Sequence, residues 1–189
     1  MRDSIWTATL AAFRDRLASL EPVPAGVSAA AVTAIFGFGL LTKVLLVASG
    51  RKDFAGDREL VASLLDDARN KSELLSQLAD EDIEAFHQYL DCLRQKTPVD
   101  AAIRMAIEVP LKVARTAACG VDLCKAATGL IHAFVAPDLG TAAALLTAAV
   151  QSTLLTVKSN LQQLPPGDPY RVEVTAELTR LSLRFRADR

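Results

Sequence analysis

EPVPAGVSAAAVTAIFGFGLL, residues 21–41, decides how the rest of the chain is read. Two prolines and a glycine make a turn, and the chain then enters a run with almost no polarity. From Ser28 to Val47 the only charge is Lys43. About 20 apolar residues are enough to span a bilayer as a helix. The centre of a helical bundle has the same needs, because a helix covered on every side is apolar on every side. Small residues crowd the first half of the run, Lys43 interrupts its end, and no aromatic belt flanks it. These features favour the bundle over the membrane.

The composition agrees. Of 189 residues, 51% are hydrophobic and only 5% aromatic, a bias toward alanine and leucine that favours helix over strand. The length suits one domain with its own core, expected over residues 1–189. A net charge of −1 and a pI near 6.1 supply no basic field, so no nucleic-acid partner is expected. Three cysteines, Cys92, Cys119 and Cys124, are an odd number in a chain of this size. They are read as small core hydrophobes rather than disulfide partners. Without further ligands at suitable spacing they suggest no metal site. The first residues, MRDSIWTATLAAFRDRLASLEPVP, carry charges throughout and have no apolar h-region. A cytoplasmic protein without a signal peptide is expected.

Outward from the opening stretch, helices follow one another. Ile5, Leu10, Phe13 and Leu17 predict a first helix, capped by Asp3 or Ser4 and ending near Glu21. After the polar loop Ser49–Asp57, a long helix is expected from Arg58 to Gln95. Its apolar stripe is Val61, Leu64, Ala68, Leu75, Ala79, Phe86, Tyr89 and Leu93, and with the two polar positions on it, Ser72 and Asp82, it runs in steps of three and four. Pro98 is placed at the first position of the next helix, with Pro110 kinking or splitting it before Cys124. Asp138 is read as the cap of a second very apolar helix, Leu139 to about Leu164. Tyr170 to Arg186 follow as an amphipathic helix after the break PPGDP. The expected fold is an all-α bundle of about six or seven helices, two of them very apolar and central.

Some residues stand out chemically. Asp82 falls on the apolar stripe, where a charge is costly unless paired or set in a cleft. Burial would raise its pKa toward a range useful for proton transfer. The alternative is an exposed edge beside Glu81 and Glu84, or a pair with a structural arginine. Lys43 either snorkels, pairs with a buried acid such as Asp82 or Asp138, or acts as a desolvated base. Ser28 and Gly26 read equally as a plain N-cap and turn. His87 reads as a surface histidine, and His132 has no evident partner.

Several fragments stand in a familiar order. They are PVPAGVSAAA (22–31), GRKDF (50–54), DIEAF (82–86), VPL (109–111), PDLGTAA (137–143) and TVKSN (156–160). In this order the chain resembles the formiminotransferase-cyclodeaminase and methenyltetrahydrofolate cyclohydrolase family. The resemblance implies a cytosolic all-helical fold, commonly a homodimer, acting on one-carbon forms of tetrahydrofolate. It implies hydrolysis of 5,10-methenyltetrahydrofolate to the 10-formyl compound, or the related loss of ammonia from the 5-formimino compound. A chain without a formiminotransferase segment favours the first. The folate is the substrate, and no separate cofactor is implied. Asp82, Asp138 and Lys43 become the candidates for catalysis. Gly26, Ser28, Arg51, Lys52 and Asn160 become those for substrate binding, with Arg51 and Lys52 on the anionic tail. The chain also departs from the family pattern. Ala25-Gly26-Val27 replaces a glycine triplet, Asp53 and Phe54 replace a lysine and a tyrosine, and Thr156 replaces an asparagine. These departures suggest a second reading, a catalytically degraded member that binds folate or another pterin, or serves in a one-carbon complex. A third reading, from the two apolar runs, is a small membrane-associated helical protein.

Overall fold

The computed structural model describes residues 4–186. It contains six α-helices and no strand among them: α1 Leu10–Leu17, α2 Gly26–Ser49, α3 Arg58–Gln95, α4 Asp100–Ala127, α5 Ala136–Asn160 and α6 Pro169–Arg184. Short 3₁₀ turns lie at Ile5–Thr7, Ala133–Val135 and Leu161–Gln163.

Local chemistry sets several boundaries. Asp57 caps α3 by accepting from the backbone N–H groups of Glu59 and Leu60 at 2.9 and 3.0 Å. Asp168 caps α6 by accepting from those of Tyr170 and Arg171, with Pro169 at the first turn. The expected first helix is divided. Ser4 caps the 3₁₀ turn, and Thr9 opens α1 by accepting from the Ala12 N–H. Asp3, the other proposed cap, lies outside the described residues. Other expected caps are also corrected. Pro98 precedes the start of α4, whose cap is Val99. Ser28 and Asp138 stand inside the first turns of α2 and α5, capped by Ala25 and Val135. Pro110 neither ends nor splits α4, which runs on to Ala127.

The four long helices α2 to α5 alternate in direction. α2 packs on α3 and α5, and α4 packs on the same two from the opposite corner. Phe38, Leu41, Leu45, Leu75, Ile107 and Leu146 are fully buried where they meet. At the crossing of α2 and α5, Gly37 faces Leu146 and the Ala142 carbonyl so closely that a side chain would collide. Gly120 of α4 stands equally close to the Phe38 ring. α6 is held by ion pairs. Arg115 reaches Glu177 at 2.5 Å and Glu108 at 2.9 Å, and Arg104 reaches Asp168 at 2.6 Å.

Two helical stretches, Gly26–Ser49 and Ala133–Gln163, are long and apolar enough to cross a membrane, with mean hydropathies of 2.1 and 1.6. Their inner faces supply core residues such as Phe38, Leu41, Leu146 and Val150. Their outer faces carry uncovered apolar side chains, among them Phe36, Leu46, Val47 and Leu155.

Candidate functional site

The alternation of the helices gives the bundle two ends, and the candidate residues divide between them. At one end lie the start of α2, the later half of α3, the start of α4 and the end of α5. A cavity of about 260 Å³ opens there. The turn Pro22–Val27 forms one wall, and Phe86, Tyr89, Ile103 and Asn160 form others. Asp82 is its one charged lining residue.

Asp82, Phe86 and Tyr89 share a face of α3 because steps of four and three return to the same side of a helix. Glu81 and Glu84 point to solvent, whereas Asp82 is half-buried. No ion pair forms at Asp82 among the described residues. Burial pushes its carboxyl from 3.8 up to about 6, partly opposed by a long hydrogen bond from Ser28 Oγ at 3.5 Å. Ser28 is fully buried at the third position of α2, so its hydroxyl serves Asp82 instead of capping its own helix. Gly26 and the backbone before it lie against the same cavity. No glycine among the described residues has a positive φ, and Ala25 sits at φ −136°. Losing two glycines from this turn therefore leaves its backbone unstrained.

Asn160 closes the cavity from α5, and its Nδ2 donates to the Ala106 carbonyl at 2.7 Å. Gly26, Ser28, Asp82 and Asn160 are thus brought together.

The other four candidates are not part of this group. At ~1.5 Å per residue, the step along α2 from Gly26 to Lys43 is about 25 Å. Lys43 Nζ lies 3.4 Å from Asp138 Oδ2, with 63% and 41% of the two side chains exposed. Lys43 therefore pairs with Asp138 and not with Asp82, and it is solvated, which removes the reading of a desolvated base. Arg51 is engaged by Asp53 through two contacts of 2.9 and 2.7 Å, and Lys52 is exposed beside it. Arg51 and Asp53 border a second hollow of about 200 Å³ with Phe54 and His132. Within a single chain, positions 26, 52, 82 and 138 do not share one pocket. Residues 26 and 82 meet, and 43, 51, 52 and 138 occupy the opposite end.

The remaining candidates are quiet. His87 Nδ1 lies 2.7 Å from the Ile83 carbonyl, a bond within its own helix. Of the cysteines only Cys124 is buried, its thiol pushed up to about 11, while Cys119 is exposed. Cys119 is therefore not the core hydrophobe expected. No cluster of three or more His, Cys, Asp or Glu gathers at one point among the described residues.

Sequence reading missed the wall that α4 contributes, Ile103 and Ala106. Alanine and isoleucine carry no chemical signal, so only packing identifies them. Phe86 and Tyr89 were visible as stripe residues. Their spacing from Asp82 was the available sign that the stripe becomes a cavity wall there.

Three comparisons agree with this architecture. A methenyltetrahydrofolate cyclohydrolase from Methylorubrum extorquens is 25% identical over 167 residues, covering 82% of this chain and 80% of that protein. The formimidoyltransferase-cyclodeaminase of Sus scrofa is 27% identical over 194 residues. That match covers 91% of this chain, which spans about a third of the pig protein, 34%. The crystal structure of a formiminotetrahydrofolate cyclodeaminase from Thermotoga maritima superposes with a TM-score of 0.88 at 21% identity, over 96% of this chain and 91% of that one. At that identity the likeness concerns the fold. The sequence model of the formiminotransferase-cyclodeaminase family matches residues 9–179, most of the chain. This chain belongs to the formiminotransferase-cyclodeaminase family.

Proposed function

We propose that this protein is a folate one-carbon enzyme that hydrolyses 5,10-methenyltetrahydrofolate to 10-formyltetrahydrofolate. The observation that carries the reading is Asp82, an unpaired acid with a pKa near 6 in an aromatic-walled cavity that holds no other charge. The substrate carries a cationic amidine carbon between two ring nitrogens. A carboxylate suits that cation, and Phe86 and Tyr89 suit a flat heterocycle. Asp82 removes a proton as water adds to the amidine carbon, then returns it to the nitrogen whose bond to that carbon breaks. The formyl group stays on the other nitrogen, and one proton is released overall. A group with a pKa near the working pH is effective in both directions. The similarity to the M. extorquens cyclohydrolase over four-fifths of that protein supports hydrolysis over cyclodeamination.

A second reading is favoured by one observation: Val27 and Ala25 stand in the turn that borders the cavity, where side chains limit how closely a ligand approaches the backbone. Under it the protein binds folate or another pterin without turnover. The loss of methenyltetrahydrofolate absorbance measures the first reading directly. Calorimetry with tetrahydrofolate separates the second, which predicts binding without a rate. A chain showing neither would end both.

The tail of the folate and the state of assembly belong to the same proposal. Arg51 and Lys52 lie just past the far end of α2, too far to serve the Asp82 cavity of their own chain. A cytoplasmic homodimer, formed over the uncovered faces of α2 and α5, gives those cations and the Lys43–Asp138 pair a cavity to serve on the second copy. Exposed Phe36, Val47 and Leu155 support such an interface. Light scattering on protein recovered without detergent tests it. A monomer, or a chain found only with membranes, counts against it.

A further inference from the structure

Pro110 lies inside α4 without ending it. Proline has no N–H, so the carbonyl four residues earlier, that of Ala106, loses its helical donor. An unpaired carbonyl in a protein wall costs free energy. Here a side chain from another helix takes it. Asn160 Nδ2 donates to Ala106 O at 2.7 Å, joining the end of α5 to α4. Both residues line the Asp82 cavity.

The bond also fixes which way the carboxamide faces, because only its nitrogen can donate to a carbonyl. Oδ1 of Asn160 has no hydrogen-bond partner among the described residues. No side-chain oxygen or nitrogen there is both sealed from solvent and unpartnered. Asn160 lines the cavity and its Oδ1 is open to solvent, so the acceptor is the polar group that this side chain has left for a ligand.

We propose that Pro110 is a positioning residue for this cavity: by withholding an N–H from Ala106 it recruits Asn160 as a strut, which holds the carboxamide with its acceptor free and so selects a hydrogen-bond donor, a ring N–H or amino group, on the ligand. The donor preference deepens the folate reading and rests on it. The strut does not.

The chain has two asparagines, and the other, Asn70, is exposed on α3, which supplies an internal reference. In ¹⁵N-labelled full-length protein, the Asn160 side-chain amide is assigned by its loss in N160A. It is expected to exchange with water at least tenfold more slowly than that of Asn70. P110A returns an N–H to α4, and the Asn160 amide is expected to approach the Asn70 rate. P110L keeps more of the buried volume and serves if P110A fails to fold. An Asn160 amide as fast as Asn70 in the parent, or equally protected in the Pro110 variant, overturns the strut.

Thermal unfolding gives a second arm. N160A is expected to lower Tm by about 2–4 °C in the parent and by less than half of that in P110A. Equal losses overturn the coupling. In tetrahydrofolate titrations, P110A and N160A are each expected to weaken binding about tenfold. Unchanged affinity with a freed amide overturns the positioning role. If the parent chain binds no tetrahydrofolate, the folate reading and the donor preference fall together, while the exchange rates still decide the strut.

Discussion

Replacing Asp82 with asparagine is expected to move stability and activity in opposite directions. Burial raises the Asp82 carboxyl from 3.8 to about 6, and Ser28 only partly opposes it. Between about pH 4 and pH 6 the folded chain therefore keeps a proton that the unfolded chain has released. Stability falls as the pH rises through this window, and above about pH 6 the whole cost is present. Each tenfold change in proton affinity is worth about 1.4 kcal/mol, so the passage from 3.8 to about 6 corresponds to about 3 kcal/mol. Partial solvent access at a half-buried site trims this to about 1–3 kcal/mol. Asparagine has nearly the same shape and carries no charge. D82N is thus expected to be more stable than the parent by about 1–3 kcal/mol at pH 7.5, and nearly equal to it at pH 4. Urea unfolding followed by circular dichroism across pH 4–8 measures both ends. Turnover of methenyltetrahydrofolate is expected to drop by about 100-fold or more, the usual worth of a positioned proton-transfer group. A variant less stable than the parent at pH 7.5 would refute the claim that Asp82 is buried without a countercharge. So would an advantage that does not shrink between pH 6 and pH 4.

Other substitutions test the packing and the ends of the bundle. In G37A the new Cβ would lie 2.8 Å from Leu146 Cγ and 3.1 Å from the Ala142 carbonyl oxygen. A loss of about 1–3 kcal/mol is expected in chemical denaturation. G39A two residues later meets nothing within 4 Å and should be neutral or stabilising. R115A strips Glu108 and Glu177 of their shared cation, and a loss of about 1–3 kcal/mol is expected, with faster amide exchange in α6. R115K should recover only part of it, because lysine cannot make the two-pronged contact to Glu177. K43A breaks a solvated pair and should change stability by no more than about 1 kcal/mol. A larger loss by thermal unfolding would make Lys43 a structural residue rather than one exposed for a ligand.

Much of the fold was legible because helices are specified locally. The step of threes and fours from Val61 to Ala79, an aspartate before Arg58 and a break at Thr97-Pro98 placed α3 at the bounds the structure shows. The break PPGDP likewise marked the start of α6, which begins at Pro169, one residue before the expected Tyr170. Where neighbours in space compete for a polar group, local rules misled. Ser28 and Asp138 look like caps, but one faces Asp82 and the other pairs with Lys43. Thr9 broke the first helix because Ser4 and the Ile5 N–H are drawn to Asp80 on α3. Pro110 was read as kinking or splitting its helix, yet α4 is not split, and a side chain 50 residues downstream supplies the donor its partner carbonyl lacks.

The sequence by itself determined that this chain is helical, which faces of its helices are apolar, and that an acid stands on one of those faces. Periodicity and capping act within a few residues, so they can be read without knowing the fold. Only the tertiary arrangement decided which chemistry meets. α2 rises about 1.5 Å per residue, so its two ends lie in different neighbourhoods. Antiparallel packing carries Gly26 and Ser28 to Asp82 and Asn160, and Lys43 to Asp138 at the far end.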